Sequence, residues 1–430
     1  MGIHVDWLEV RRAGPLRGTI EIPGSKNSSL SILAACCLSD KKVKLKNVPN
    51  NLDTILALDI ITKIGGKIEK TDTYITIDPT TIEHAELDIN FTSSYRASYY
   101  FIGALLAKFK KVKIGYPGGD DFGSRPIDQH VNGFRAMGAK ITLKKEFYEI
   151  ETNHLNGANV IFEMKTSGAT MNLMIAATRA KGVSILKNAA TDPEVVDLAN
   201  FLNKMGANIR GAGTPTIRIT GVNTMGSCEH SVIPDRLIAG SFMMAVGLTQ
   251  GEINISNVIP EHLDSCIEKL RAIGLSIEDF NNGLTVSYDG SFPLKSTNIR
   301  TDMYPGFPTD LQQPITALLL CAKGKSVITD NVYPSRFNHI LELNKMGANI
   351  LTSKNWAKID EKKQLTGTWV EASDIRAGTS LILAGLMAEG VTKIKGVNHL
   401  YRGYPDVIDL FNSIGANLKS ESAEAELDIV

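Results

Sequence analysis

The sequence predicts an α/β protein of two bodies, each built from three copies of one repeating unit. Three observations predict it. A short ending recurs six times, as in Met137-Gly138-Ala139-Lys140-Ile141 and Met346-Gly347-Ala348-Asn349-Ile350, with its glycines at 65, 138, 206, 274, 347 and 415. Each copy also holds a second helix that is apolar nearly all round. Finally, 430 residues exceed what one domain commonly holds.

The elements follow in order. Each recurring Gly closes an amphipathic helix, such as 193–205 or 405–414. Gly just past a last turn takes the left-handed conformation without a steric clash. An alternating stretch such as 139–143 then reads as a strand. The second helices are 25–38, 94–109, 167–180, 235–248, 310–322 and 373–388. A helix without a polar face is buried on all sides. Each opens on polar or charged residues: Ser25-Lys26-Asn27, Arg96, Ser167, Asp235-Arg236, Asp310, and Asp374 with Arg376. Capping explains a Ser or Asp at such a place, and six capped core helices are the plainer alternative. Capping does not call for Lys26, Arg96, Arg236 or Arg376, and a buried charge is costly without a partner. The helix starts are therefore expected to converge on a polar cleft.

Six units divide into two bodies with a seam at 228–234, marked by the nearby turn signal Gly226-Ser227. The expected domains are 26–233, and 1–25 together with 234–430. The leading stretch 5–22 is expected to form strand and to pair with the second body.

Composition sets outer limits. The chain is 43% hydrophobic and 21% charged, and Lys+Arg and Asp+Glu are both 46. A formal charge of zero leaves no basic field for nucleic acid and no basic amphipathic segment for a membrane surface. No apolar run reaches bilayer-spanning length, and Met1 to Val10 lacks a signal-peptide core. The five cysteines, Cys36, Cys37, Cys228, Cys266 and Cys321, show no zinc-type spacing. Cys36, Cys37 and Cys321 lie in apolar runs and read as core thiols. A reducing cytoplasm fits this pattern. No metal cluster or dinucleotide glycine motif is visible, so no cofactor is expected.

An anionic substrate would then need locally gathered cations. Arg125, Arg336 and Arg402 stand at equivalent places in the second, fifth and sixth units, and Arg suits a bidentate grip on phosphate or carboxylate. Arg125 lies in Pro117-Gly118-Gly119-Asp120-Asp121-Phe122-Gly123-Ser124-Arg125-Pro126-Ile127-Asp128, just before a helix over 127–137. Pro126 suits the first helical position. The loop thus sets a cation, an anion-attracting helix start and an acid side by side.

These motifs resemble those of the enolpyruvyl transferases. They are Pro23-Gly24-Ser25-Lys26-Asn27, Arg96-Ala97-Ser98, the loop 117–128, Pro193-Glu194-Val195-Val196-Asp197, Pro234-Asp235-Arg236, Phe307-Pro308-Thr309-Asp310, Arg336-Phe337, Asp374-Ile375-Arg376-Ala377 and Arg402-Gly403-Tyr404. The resemblance runs over essentially the whole chain. It implies a two-domain inside-out α/β barrel of six βαβαββ-type repeats, three per domain, with buried helices and sheets outside. Lys26-Asn27 and Gly123-Ser124-Arg125-Pro126 favour the sugar-nucleotide branch over the shikimate branch. The implied substrates are phosphoenolpyruvate and UDP-N-acetylglucosamine, in peptidoglycan precursor synthesis.

The resemblance also implies roles. Lys26, Arg125 and Arg402 hold phosphoenolpyruvate, with Arg336 and Arg376 in support. Asn27 and Asp310 face the sugar hydroxyl, with Asp310 as base. Arg96, Arg125, Pro126, Ile127, Asp128, Gln129, Lys165, Ser167, Gly168 and Val332 fall where the family grips the UDP part. Asp374 assists proton traffic. At Asp120 the family commonly carries a Cys that serves as the acid and is alkylated by fosfomycin. Asp120 is therefore the expected acid, and resistance to fosfomycin is expected with it. To donate near pH 7, a carboxyl of ordinary pKa ~3.9 must be raised by about three units, or about 4 kcal/mol.

Two departures bear on the acceptor. The segment Lys165-Thr166-Ser167-Gly168-Ala169-Thr170 is one residue shorter than the family's usual loop, and Ile238 stands where many members carry an acid. An enolpyruvyl transferase for another acceptor, such as a plain nucleotide, stays open. So does a non-catalytic binder of sugar nucleotides, although a mere binder would have no use for the phosphoenolpyruvate set.

Overall fold

Apolar runs with small residues account for the centre of each unit. The computed structural model describes residues 6–94, 96–116, 118, 127–280, 283–361 and 364–422. Asp120, Arg125 and Pro126 lie outside the described residues. The chain parts into two compact units, Gly24–Gly119 with Ser124–Ile233, and Met1–Pro23 with Pro234–Val430. The expected boundary at 25/26 falls two residues late. Ser25 caps the following helix, and its N–H donates to the Ile233 carbonyl at 2.7 Å, so Gly24 and Ser25 go with residues 24–233.

In the unit from Gly24 to Ile233 the buried helices are α1 (Lys26–Cys36), α2 (Tyr100–Phe109) and α3 (Ser167–Ala177). Every residue of α1 from Ser28 to Cys36 is buried. Glycine permits the close approach of α2 and α3: a Cβ on Gly103 would stand 2.4 Å from the Asn172 carbonyl oxygen. The amphipathic helices Leu52–Lys63, Asp128–Ala136 and Pro193–Lys204 each bury only part of their surface.

The other unit repeats the plan with α4 (Arg236–Thr249), α5 (Gln312–Leu320) and α6 (Ile375–Met387). Here α4 is buried without a break from Arg236 to Gly247, and α6 from Ile375 to Leu386. Pro314 sits in the first turn of α5, where its missing N–H breaks no helical bond.

Among the described residues the strands form six sheets, five of four strands and one of three. Strands such as Thr216–Thr220 and Glu252–Ser256 alternate, burying one face of their sheet. Each four-stranded sheet joins one parallel pair to antiparallel neighbours, as where Asn159–Ile161 runs parallel to Val183–Lys187. Among the described residues all the sheets are open in strand order, and none closes into a β-barrel. The leading stretch forms two strands. Trp7–Arg11 lies between Val391–Lys395 and Asn417–Glu421, and Arg17–Glu21 pairs in parallel with Glu252–Ser256. The six recurring glycines all take positive φ, from +91° at Gly138 to +126° at Gly274, as a helix stop of this kind requires.

The buried helices begin later than the sequence suggests. Arg96 lies in a 3₁₀ turn, Arg96–Tyr99, ahead of α2, and Asp310 in the 3₁₀ turn Thr309–Leu311 ahead of α5. Both groups thereby sit on tight turns rather than inside an α-helix. The described helix after residues 117–126 starts at Asp128, with Ile127 as its uncapped flank. Arg402, expected in a loop, ends a short helix, Asn398–Gly403. Pro405 stops that helix from running on.

Two buried histidines give the fold an acid limit. Burial holds His130 and His339 down at about 3, from an ordinary 6.5; Arg96 adds to the effect on His130. The unfolded chain therefore binds protons that the folded chain does not between pH 6.5 and 3, and stability falls as pH drops through that window. From pH 7 to pH 5 each histidine should cost about 2 kcal/mol. Urea midpoints at the two pH values check this, and His130→Gln and His339→Gln should each flatten the dependence. A slope unchanged in both variants would refute it.

Candidate active site

In the unit from Gly24 to Ile233, charged and polar side chains gather at the start of α1. Ser25 caps the helix by accepting from the Ser28 N–H, which leaves Lys26 and Asn27 half-buried in its first turn. Lys26 Nζ donates to Asp53 Oδ2 at 3.1 Å, and Asp53 is buried at the start of Leu52–Lys63. The lysine charge is thus placed by a carboxylate that the sequence reading did not select. Asp197 fixes the next residues. It accepts from the Ser28 hydroxyl, from His230 Nε2 at 2.8 Å and from the Ile233 N–H at 3.3 Å.

The expected nucleotide-binding residues of this unit fall on three segments. Arg96 lies half-buried, with its guanidinium 5.7 Å from the centre of the Tyr99 ring. Ile127 is buried, Asp128 is exposed, and Gln129 keeps a buried Oε1 that meets no partner among the described residues. Lys165, Ser167 and Gly168 stand half-buried at the start of α3, whose cap is Thr166. The Ser167 hydroxyl donates to Asp192 at 2.9 Å.

The other unit holds a network of acids and arginines. Asp310 Oδ1 accepts from Arg336 Nη1 at 2.5 Å, and Oδ2 lies 3.5 Å from Arg376 Nη2. Asp374 caps α6 through the N–H groups of Arg376 and Ala377, accepts from Gln313 Nε2, and lies 3.5 Å from Arg336 Nη2. Burial works against the Arg336 charge, but Asp310 and Asp374 outweigh it and hold the group firmly protonated. Val332 is placed by Asp330, which accepts from the N–H groups of Val332 and Tyr333 and from the hydroxyls of Thr301 and Thr309. Arg402 is half-buried beside the buried Tyr404. Asp310, Arg336, Asp374 and Arg376 are thus brought together.

Asp53, His230 and Asp330 carry no local signal in the sequence beyond being acids or a histidine near turns, and Asp197 belongs to the motif Pro193-Glu194-Val195-Val196-Asp197 without a role that the sequence reveals. Among the described residues no group of three His, Cys, Asp or Glu could hold a metal ion. No described helix is long and apolar enough to cross a membrane.

Two α/β units with buried helices, and polar side chains at their starts, define the enolpyruvyl transferase fold. A solved enolpyruvyl transferase, NikO from Streptomyces tendae, superposes with TM-score 0.89 at 21% identity, covering 97% of this chain and 99% of that one. EPSP synthase from Acinetobacter baumannii superposes at 0.75 with 19% identity, covering 97% and 100%. The chain belongs to the EPSP synthase (3-phosphoshikimate 1-carboxyvinyltransferase) family, which matches residues 10–411. Among its relatives, UDP-N-acetylglucosamine 1-carboxyvinyltransferase 3 of Caldanaerobacter subterraneus subsp. tengcongensis is 45% identical over 95% of this chain and 98% of its own. UDP-N-acetylglucosamine 1-carboxyvinyltransferase of Clostridium botulinum is 44% identical over 96% and 99%.

Proposed function

We propose that this enzyme transfers the enolpyruvyl group of phosphoenolpyruvate to the 3-hydroxyl of UDP-N-acetylglucosamine, with release of phosphate. The observation that carries the reading is the nearly full-length identity to relatives that bear that name. The reaction needs an acid at C3 of the donor, a base at the attacking hydroxyl, and cations for the phosphate and carboxylate. Asp120 protonates C3 while the hydroxyl attacks C2 and gives its proton to Asp310. The tetrahedral adduct then loses phosphate and a methyl proton. Lys26, Arg125 and Arg402 hold the donor's anionic groups. Arg336 and Arg376 set the position of Asp310, and Asp374 holds Arg336 in place. Asn27 bonds the sugar hydroxyl. Arg96, residues 125–129, Lys165, Ser167, Gly168 and Val332 take the UDP part.

The same reading covers an organisation of six βαβαββ-type units, three per domain. The recurring positive-φ glycines and the recurring buried helices support it. It also puts the protein in the cytoplasm, in peptidoglycan precursor synthesis. Phosphate release from phosphoenolpyruvate with UDP-N-acetylglucosamine tests the reading, with product analysis over a panel of hydroxyl acceptors. Turnover of another acceptor, with none of this one, would overturn it.

Fosfomycin should leave turnover intact. A carboxylate is a poorer nucleophile than a thiolate, and burial keeps the cysteines protonated: Cys37, Cys266 and Cys321 are pushed up to about 12 and Cys228 to about 11. Intact-mass analysis after incubation should show no adduct. A stoichiometric adduct on Asp120 would contradict the assignment.

A further inference from the structure

Two polar groups with no role in that proposal face the start of α3: Tyr99, from the turn Arg96–Tyr99, and His130, from the helix Asp128–Ala136. Tyr99 and His130 pack edge to face, with ring centres 4.6 Å apart. Both reach toward Gly168. A Cβ on that glycine would stand 2.7 Å from Tyr99 Oη and 3.3 Å from His130 Nε2. His130 is 5% exposed, and its Nε2 bonds to no other described residue.

The imidazole tautomer follows from its neighbour. Asn172 Oδ1 accepts from the Gly103 N–H at 3.0 Å, and its Nδ2 donates to the Tyr99 carbonyl at 2.9 Å. Those two bonds fix the amide orientation. The same Nδ2 lies 3.1 Å from His130 Nδ1. An amide NH₂ has no lone pair to offer, so Nδ1 must accept and the proton sits on Nε2. Burial keeps the ring neutral. His130 thus presents a fixed N–H donor at the start of an eleven-residue helix, with Arg96 and Lys165 close by in the chain.

Donors, cations and a helix N-terminus together select an anionic oxygen. We propose that Tyr99 Oη and His130 Nε2–H form a neutral donor pair for a phosphate oxygen of the acceptor's nucleoside diphosphate, with Asn172 as the positioning residue that sets the tautomer. This rests on the sugar-nucleotide reading and adds binding residues to it. It also bears on the shortened segment 165–170. One residue fewer there means one backbone N–H fewer, and the Tyr99 hydroxyl supplies a donor at the same helix start.

Calorimetric titration of the full chain with UDP and with uridine tests the proposal, beside steady-state phosphate release. Tyr99→Phe removes one oxygen and keeps the ring packing. It should weaken UDP about ten- to a hundredfold, the loss of one hydrogen bond to a charged group, and leave uridine binding and the KM for phosphoenolpyruvate unchanged. His130→Asn should behave alike if it folds. Nitrogen NMR shifts of His130 should report an Nε2-protonated neutral ring in the wild type and the opposite tautomer in Asn172→Asp. Unchanged UDP affinity in Tyr99→Phe, equal losses for UDP and uridine, or an Nδ1-protonated wild type would each overturn the proposal. A wild type that binds UDP but releases no phosphate would sink the enzymatic reading and leave this one standing. A wild type that binds no UDP would end both.

Discussion

Asp310→Asn should cut turnover severely and leave the fold in place. In the structure Asp310 sits between two buried arginines, 2.5 Å from Arg336 Nη1 and 3.5 Å from Arg376 Nη2, yet its own side chain is 27% exposed. That is the situation of a group held in place from behind and open in front. Asparagine keeps an oxygen that can accept from Arg336, and Asp374 still faces the same guanidinium at 3.5 Å. The cost to stability should stay near 1–3 kcal/mol, since one charge-assisted bond becomes a neutral one. The rate cost is larger. An amide cannot take the hydroxyl proton, and removing a general base commonly lowers a rate by about 10²–10⁴. Phosphate release in a single turnover should fall in that range while phosphoenolpyruvate still binds. A rate within a few-fold of wild type would remove Asp310 from the proton path and leave it as a clamp for the two arginines.

The contrast between Asp310 and Asp53 shows what a single sequence carries. The recurring glycines were legible because a left-handed helix stop is a local demand that few other residues meet. Lys26, Arg236 and Arg376 were legible for a related reason: a charge that opens an apolar run has no local explanation. Partners are a different matter. Lys26 meets Asp53 across 27 residues, and Ser28 meets Asp197 across 169. Only folding brings such pairs together, and an acid near a turn looks the same whether it faces a lysine or water. The same limit explains Arg402. Tyr401-Arg402-Gly403-Tyr404-Pro405 has the composition of a loop, but the preceding Asn398 to Leu400 supplies a helical turn that carries it. Tyr99 and His130 are hidden in the sequence for another reason. An aromatic pair in an apolar region reads as core until the tautomer and the bare glycine beside it are seen.

Asp120→Asn should be as damaging as Asp310→Asn, but at the other proton. Addition of an alcohol to C2 of phosphoenolpyruvate leaves C3 short of a proton, and no charge on an arginine can supply one. An asparagine in the loop keeps its size and hydrogen-bonding capacity and loses only the transferable proton. Turnover should therefore drop by about 10²–10⁴, with the affinity for UDP-N-acetylglucosamine unchanged in calorimetry. Asp120→Cys separates chemistry from architecture. A thiol can serve as the acid, so turnover should return in part, and fosfomycin should now form a covalent adduct. The pH profile adds a second readout. A carboxylic acid catalyst loses its proton as pH rises, so the alkaline limb of the wild-type rate marks the carboxyl. With a thiol of ordinary pKa ~8.5 in its place, that limb should move upward. If Asp120→Asn instead turns over near normally, the proton reaches C3 from elsewhere, and the adjacent Asp121 is the group to replace next.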